Sequence, residues 1–125
     1  MSEVAEFSGD PAPLAALHAA CFPDPWDAKA LRELFAAGAF AFHHDDGFVL
    51  ARVAGGEAEI LTLAVAPAAR GKGLGRALIE ACEAWARERG HKLLTVGVLA
   101  KNPAAIRAYE GAGYAPYVAI MRRYL

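Results

Sequence analysis

The chain has 125 residues, with 13 Lys and Arg against 14 Asp and Glu and a formal net charge of −1. That length suits one domain spanning residues 1–125, and its two cysteines, Cys21 and Cys82, make no disulfide framework and fit a reducing, cytoplasmic compartment. Near-neutral charge excludes a uniformly basic nucleic-acid binder, no apolar run approaches the ~18 residues of a membrane helix, and the N-terminus lacks the basic-then-apolar start of a secretory signal.

Asp10-Pro11 reads as a helix start, an N-cap with proline at the first helical position, for a helix reaching about Ala20. The two prolines of Phe22-Pro23-Asp24-Pro25-Trp26 force an ordered loop. Asp27 caps a second helix with Leu31, Leu34 and Phe35 on one face and Gly38 as its stop. Runs from Phe40 to His44 and from Phe48 to Val53, separated by Asp45-Asp46-Gly47, predict a hairpin. Gly55-Gly56 turns into Glu59 to Val65, apolar on both faces and so expected as a central strand. After Pro67 the period becomes helical, with Leu74, Ala77, Leu78, Ala81, Cys82 and Trp85 on one face and Arg76, Glu80, Glu83, Arg87 and Glu88 on the others, until Gly90. Leu93 to Leu99 predict another strand. Asn102-Pro103 opens a helix through Tyr109 that stops at Gly111 or Gly113, and Tyr114 to Leu125 holds one or two short strands. The order describes an α/β domain, hairpins on one side and crossover helices on the other.

Charge is divided along the chain. Residues 1–69 carry 3 basic and 10 acidic side chains, residues 70–107 carry 8 and 3, and residues 108–125 carry 2 and 1. The basic block opens on Arg70-Gly71-Lys72-Gly73-Leu74-Gly75-Arg76 at a strand-to-helix junction. Alternating glycines let backbone N–H groups approach a ligand, and a helix N-terminus favours an anion. A phosphate or pyrophosphate is the expected occupant. The spacing is neither a P-loop, because no Ser or Thr follows Lys72, nor the dinucleotide Gly-x-Gly-x-x-Gly, because the third glycine comes one residue early.

Arg70-x-x-Gly73-x-Gly75, after an apolar strand ending Val65-Ala66-Pro67, resembles motif A of the GNAT N-acetyltransferases, which bind acetyl-CoA. Asn102-x2-Ala105-x3-Tyr109-x3-Gly113-Tyr114 is similar to that family's fourth-helix motif, and the element order follows the family along the whole chain. Cys21-Phe22-Pro-x-Pro-Trp26 and Leu61 to Pro67 resemble its ribosomal-protein-alanine N-acetyltransferase group. The resemblance implies a mixed central sheet flanked by helices and direct acetyl transfer to a primary amine. It implies that the backbone of Leu63, Ala64 and Val65 bonds the pantetheine amides. Arg70, Gly71, Lys72, Gly73, Leu74, Gly75 and Arg76 would hold the pyrophosphate, and Asn102 the pantetheine arm or thioester region. Tyr109 would sit near the sulfur and protonate the departing thiolate. No covalent enzyme intermediate is needed, so neither cysteine has a catalytic part.

The chain departs from that group at the base. Where the group has a glutamate on the strand before the Asn motif, this sequence has Gly97. Glu59, and after it Glu57, stand at the start of the strand leading into motif A and are either the substitute carboxylates or exposed strand-end groups; His18 is either a base acting through water or a partly buried helix histidine. An α-amine with pKa near 7.7–8 is roughly 10% neutral at pH 7, whereas a lysine near 10.4 is neutral at well under 0.1%. A site without the strong base therefore suits a peptide N-terminus. Against this, the group's long connection between its last two strands, which shapes the peptide site, has no room between Gly113 and Leu125. A polyamine-like acceptor and a non-catalytic CoA-binding module are the alternatives, in a monomer or homodimer. Adjacent strand residues point to opposite faces, so His43-His44-Asp45-Asp46 reads as a solvated hairpin tip and no metal is expected. Trp26 lines the acceptor site or packs over the helices.

Overall fold

The computed structural model describes residues 4–97, 103–117 and 120–125. Its elements are β1 (Ala5–Glu6), α1 (Ala12–Cys21), α2 (Ala28–Ala36), β2 (Phe40–His44), β3 (Gly47–Ala54), β4 (Glu57–Val65), a 3-10 turn (Pro67–Ala69), α3 (Leu74–Glu88), β5 (Leu93–Gly97), α4 (Pro103–Gly111), β6 (Ala115–Tyr117) and β7 (Ile120–Tyr124). They form a seven-stranded sheet in the order β1-β2-β3-β4-β5-β7-β6. Among the described residues only β4 and β5 run parallel, so the sheet is mixed and β4 is central, as its two-faced apolarity predicts.

Local chemistry sets most element ends. Asp27 accepts the Ala30 N–H at 2.8 Å and caps α2. At the start of α1 the proline sits one position earlier than expected: Pro11 occupies the cap position, and Asp10 Oδ1 accepts the Ala12 N–H at 3.0 Å. Gly38, Gly90 and Gly113 have φ of +103, +78 and +93 and terminate α2, α3 and α4. Each is followed by a residue whose N–H reaches back to the last helical turn: Ala39 to Leu34, His91 to Ala86 and Tyr114 to Tyr109, all at 3.0 Å.

The β2–β3 hairpin forms where Asp45-Asp46-Gly47 marks it, but Gly47 serves space rather than φ. It pairs with His44 inside the ladder, and a Cβ there would lie 2.7 Å from the Ala64 carbonyl oxygen.

Two apolar layers cover the sheet. Leu14, Leu31, Phe48, Leu50 and Ala64 join the sheet to α1 and α2. Val49, Ile60, Leu78, Ile79, Cys82, Leu94 and Tyr109 form the layer on the opposite face with α3 and α4. Residues 48–51 of β3 are all buried, alternate side chains serving alternate layers.

The buried face of α3 is broader than its periodicity predicts. Ile79, Glu83 and Ala86 are buried beside Leu74, Leu78 and Cys82, so Glu83, expected on an outer face, lies inside at 2% exposure. The cause is tertiary: Tyr114 and Arg123, distant in sequence, close over that flank.

Candidate active site

The site is built on the second half of β4. The parallel pairing of described residues joins Ala58, Glu59 and Ile60 to Leu94, Thr95 and Val96, whereas β3 stays paired with β4 as far as Val65. The β3 partners step from Thr62↔Leu50 to Ile60↔Ala51, leaving Leu61 as a bulge. A bulge bends its strand and puts two consecutive side chains on one face. Accordingly Leu61 packs in the α1–α2 layer and Thr62 meets His18 of α1. The bend falls in the middle of β4.

Beyond it, Leu63 and Val65 pack towards α3, while Ala64 is buried on the other face. The Val65 carbonyl accepts the Cys21 thiol at 3.3 Å and Arg70 Nε at 3.0 Å.

The chain then passes through the 3-10 turn into Arg70 to Gly75. Gly71 and Gly73 have φ of +78 and +86, in the left-handed region that favours glycine, with nothing within 4 Å of where a Cβ would lie. Gly73 is the N-cap of α3, and no side chain caps the first turn. Arg70, Lys72 and Arg76 are exposed around it, with Arg76 paired to Glu80 at 3.4 Å. A helix start with uncapped N–H groups, an open two-glycine turn and three cations fits an anionic diphosphate. Gly75 lies where a Cβ would stand 3.7 Å from a Val65 methyl group and 3.9 Å from a Leu63 methyl group, so the first turn of α3 rests on the end of β4. Leu74 is buried beneath the turn.

Tyr109 of α4 is 3% exposed and meets Tyr114 edge-on, with ring centroids 5.6 Å apart. Burial, and secondarily the neighbouring Cys82, push its hydroxyl pKa well above the ordinary tyrosine value. The group is therefore a hydrogen donor at any physiological pH. Cys82 itself is pushed up to about 12 by burial and by Glu83, so it stays a core thiol.

Glu59 pairs with Arg52 of β3 and Thr95 of β5 in the sheet, and its side chain is in an ion pair with Arg52 at 3.3 Å. Glu57 is exposed at the first position of β4. Asn102 lies outside the described residues.

His18 has a different part from the water-bridged base considered above. It is 4% exposed, its ring stacked on Phe22 and Trp26 at 4.4 and 5.0 Å. Its Nδ1 accepts the Trp26 N–H at 3.0 Å, so the proton of the neutral ring belongs to Nε2, which donates to Thr62 Oγ1 at 3.2 Å. Both nitrogens are used inside the protein, and the ring ties α1, the proline loop and β4 together. Trp26 is half-buried in that layer.

Burial lowers the His18 pKa below 6.5, which gives stability a pH dependence. The unfolded chain takes up a proton near pH 6.5 that the folded ring refuses, so the contribution is present above pH 6.5 and is lost as pH falls through the folded value. The thermal midpoint is expected to drop between pH 7.5 and 5.5, and His18→Gln to flatten that slope. An equal slope in the variant, measured by circular dichroism, would assign the dependence elsewhere.

At the hairpin tip, His44 Nδ1 accepts the Asp46 N–H at 3.0 Å. Among the described residues no group of three or more His, Cys, Asp or Glu is placed to hold a metal, and no helix is long and apolar enough to cross a membrane. The cluster that sequence reasoning missed is Glu83–Tyr114–Arg123, which meets Tyr109 through the Tyr114 ring. The one sequence signal for it is an acidic residue beside the apolar face of α3.

Comparison with known proteins agrees with this geometry. The ribosomal-protein-S18-alanine N-acetyltransferase from Escherichia coli superposes with a TM-score of 0.80 at 25% identity, covering 99% of this chain and 94% of that one. Ard1 from Thermoplasma volcanium gives 0.78 at 19% identity, covering 99% of each chain. Arabidopsis thaliana Naa50, in complex with the bisubstrate analogue CoA-Ac-MVNAL, gives 0.76 at 18% identity, covering 99% of this chain and all of the other. No curated protein sequence is matched. Residues 12–114 match the acetyltransferase (GNAT) family. With that match spanning most of the sequence, and with β4 leading into an uncapped glycine turn, the chain belongs to the GNAT family and is an N-acetyltransferase.

Proposed function

We propose that the chain is a single-domain, cytoplasmic, RimI-like enzyme that transfers the acetyl group of acetyl-CoA directly to the α-amino group of a peptide. The observation that carries this reading is the run of β4 as far as Val65 and on through an open two-glycine turn into the uncapped start of α3. A pantetheine arm laid along Leu63 to Val65 brings its diphosphate to Arg70–Arg76. The bound cosubstrate supplies an activated acyl thioester. Tyr109 donates a hydrogen bond or proton to the sulfur side, and Asn102 holds the arm near the thioester. Glu59, near the start of β4, takes the proton of the incoming amine.

The acceptor class rests on proton supply. With Gly97 where the related group has a glutamate, an amine that is already partly neutral at pH 7 is favoured, and an α-amine meets that condition. The similarity to the S18-alanine enzyme and to the peptide-analogue complex supports the same choice. The ten acidic side chains of residues 1–69 favour approach of a cation. A second reading, a small polyamine-like acceptor, is favoured by the pairing of Tyr117 with Ile120, which leaves two residues of sequence between β6 and β7.

Thiol release from acetyl-CoA, followed with alanine-initiated peptides, with spermidine and with no acceptor, tests these readings. Peptide-dependent release is expected. Release with spermidine alone moves the assignment to small amines, and CoA binding without any acceptor-dependent release ends the enzyme reading.

Glu59→Gln adds a test of the base. The rate should fall most at low pH, where the amine is protonated, and recover towards the parent rate at high pH. An unchanged pH profile removes Glu59 from that role.

A further inference from the structure

The end of α4 sets where Tyr109 stands. Gly113 turns the chain, its N–H donating to the Glu110 carbonyl and the Tyr114 N–H to the Tyr109 carbonyl, each at 3.0 Å. In this paired-bond stop the residue after the glycine packs on the residue whose carbonyl it bonds. Here those residues are Tyr114 and Tyr109, whose rings meet at 73°. Both the carbonyl and the ring of Tyr109 are therefore located by Tyr114.

Tyr114 is located from behind. Its hydroxyl donates to Glu83 Oε2 at 3.1 Å, and Arg123 Nη1 donates to that same oxygen at 2.8 Å. Arg123 Nη1 also donates to the Ala112 carbonyl at 2.9 Å, in the turn that closes α4. Gly113 leaves space for this arginine, since a Cβ there would stand 3.3 Å from Arg123 Nε. One carboxylate oxygen on α3 thus joins β7, the α4–β6 turn and the tyrosine that abuts Tyr109. The Glu83 side chain is 3% exposed in this ion pair and that of Arg123 34%, and in some proteins such a pair fixes one arrangement more than it adds stability.

We infer that Glu83, Tyr114 and Arg123 form a positioning network that holds Tyr109 in register for acetyl transfer. The inference rests on the reading of Tyr109 as the acid. None of the three is itself a catalytic residue; they act through Tyr114 on the last turn of α4.

A double-mutant cycle tests it on the full chain, with acetyl-CoA and an alanine-initiated peptide, or spermidine where that is the acceptor turned over. Folded sites are counted by CoA titration, so that loss of fold is separated from loss of rate. Tyr114→Phe is expected to lower kcat about tenfold with the KM for acetyl-CoA within twofold, and to add no further loss in the Tyr109→Phe background. Glu83→Gln, as the second route to the same lesion, should reproduce both results. An unchanged kcat in Tyr114→Phe overturns the proposal, as does a loss that multiplies fully with that of Tyr109→Phe. If Tyr109→Phe alone keeps the parent kcat, the acid reading fails first and the positioning role fails with it, a result distinct from additivity in the cycle.

Discussion

Tyr109→Phe is expected to lower kcat by about a hundredfold or more while leaving CoA affinity within twofold, since general acid catalysis contributes roughly 10²–10⁴-fold. The substitution removes one oxygen and keeps the ring that packs against Tyr114, so the α4 stop and the core survive. The raised pKa of Tyr109 fixes the sign of the pH dependence. A tyrosine pushed upward by burial remains protonated through the neutral and mildly alkaline range, so it introduces no falling limb there. The parent rate should rise from pH 6 with a midpoint near the α-amine pKa of about 8 and then stay level to about pH 10. The variant should show the same rising limb at a lower height. Thiol release at saturating acetyl-CoA from pH 6 to 10 measures both features. A parent rate that declines above pH 9 while the fold persists would separate the acid from Tyr109.

The elements that sequence discloses here are those governed by neighbours a few residues away. Asp27 and Gly38 bracket α2 because a cap and a left-handed stop act within one turn. The apolar run of β4 foretells a central strand because burial on both faces leaves no polar side chain to spare. The Arg70–Arg76 turn is legible for a similar reason, since glycines with positive φ and a following helix define an anion cradle locally. What sequence concealed is non-local. Glu83 is buried because Arg123, forty residues away, meets it, and the helical pattern of α3 alone assigns it to solvent. His18 is occupied at both nitrogens by Trp26 and by Thr62 of β4, the latter forty-four residues on, so its isolated position on a helix suggested a freedom it lacks. Gly47 was read as a turn residue, yet its constraint is the Ala64 carbonyl on the neighbouring strand. The bulge at Leu61, which bends β4, leaves no mark of its own in the run from Ile60 to Val65.

Gly73→Val is expected to weaken CoA binding at least thirtyfold. Gly73 is the N-cap of α3 at φ +86, and open space surrounds it, so the penalty comes from the backbone and not from a clash. A β-branched residue disfavours the left-handed region by roughly 1–2 kcal/mol or more. The turn then either stores that strain or relaxes to negative φ. Relaxation rotates the peptide units flanking Gly73, and the N–H groups at the start of α3 no longer converge on one anion. Strain that is simply stored lowers the melting temperature but leaves the cradle intact, so the two measurements together show which occurs. The affinity loss should be specific to the diphosphate end of the ligand. Calorimetric titration with CoA should show it, whereas turnover of S-acetylpantetheine, which lacks the diphosphate, should stay near the parent rate. Lys72→Glu provides the electrostatic counterpart: it leaves the backbone alone, reverses one exposed charge, and should weaken CoA by an amount that shrinks as salt is raised. Should Gly73→Val impair S-acetylpantetheine turnover as severely as CoA binding, the turn would be supporting the β4 edge through Gly75, Leu63 and Val65 rather than gripping the diphosphate.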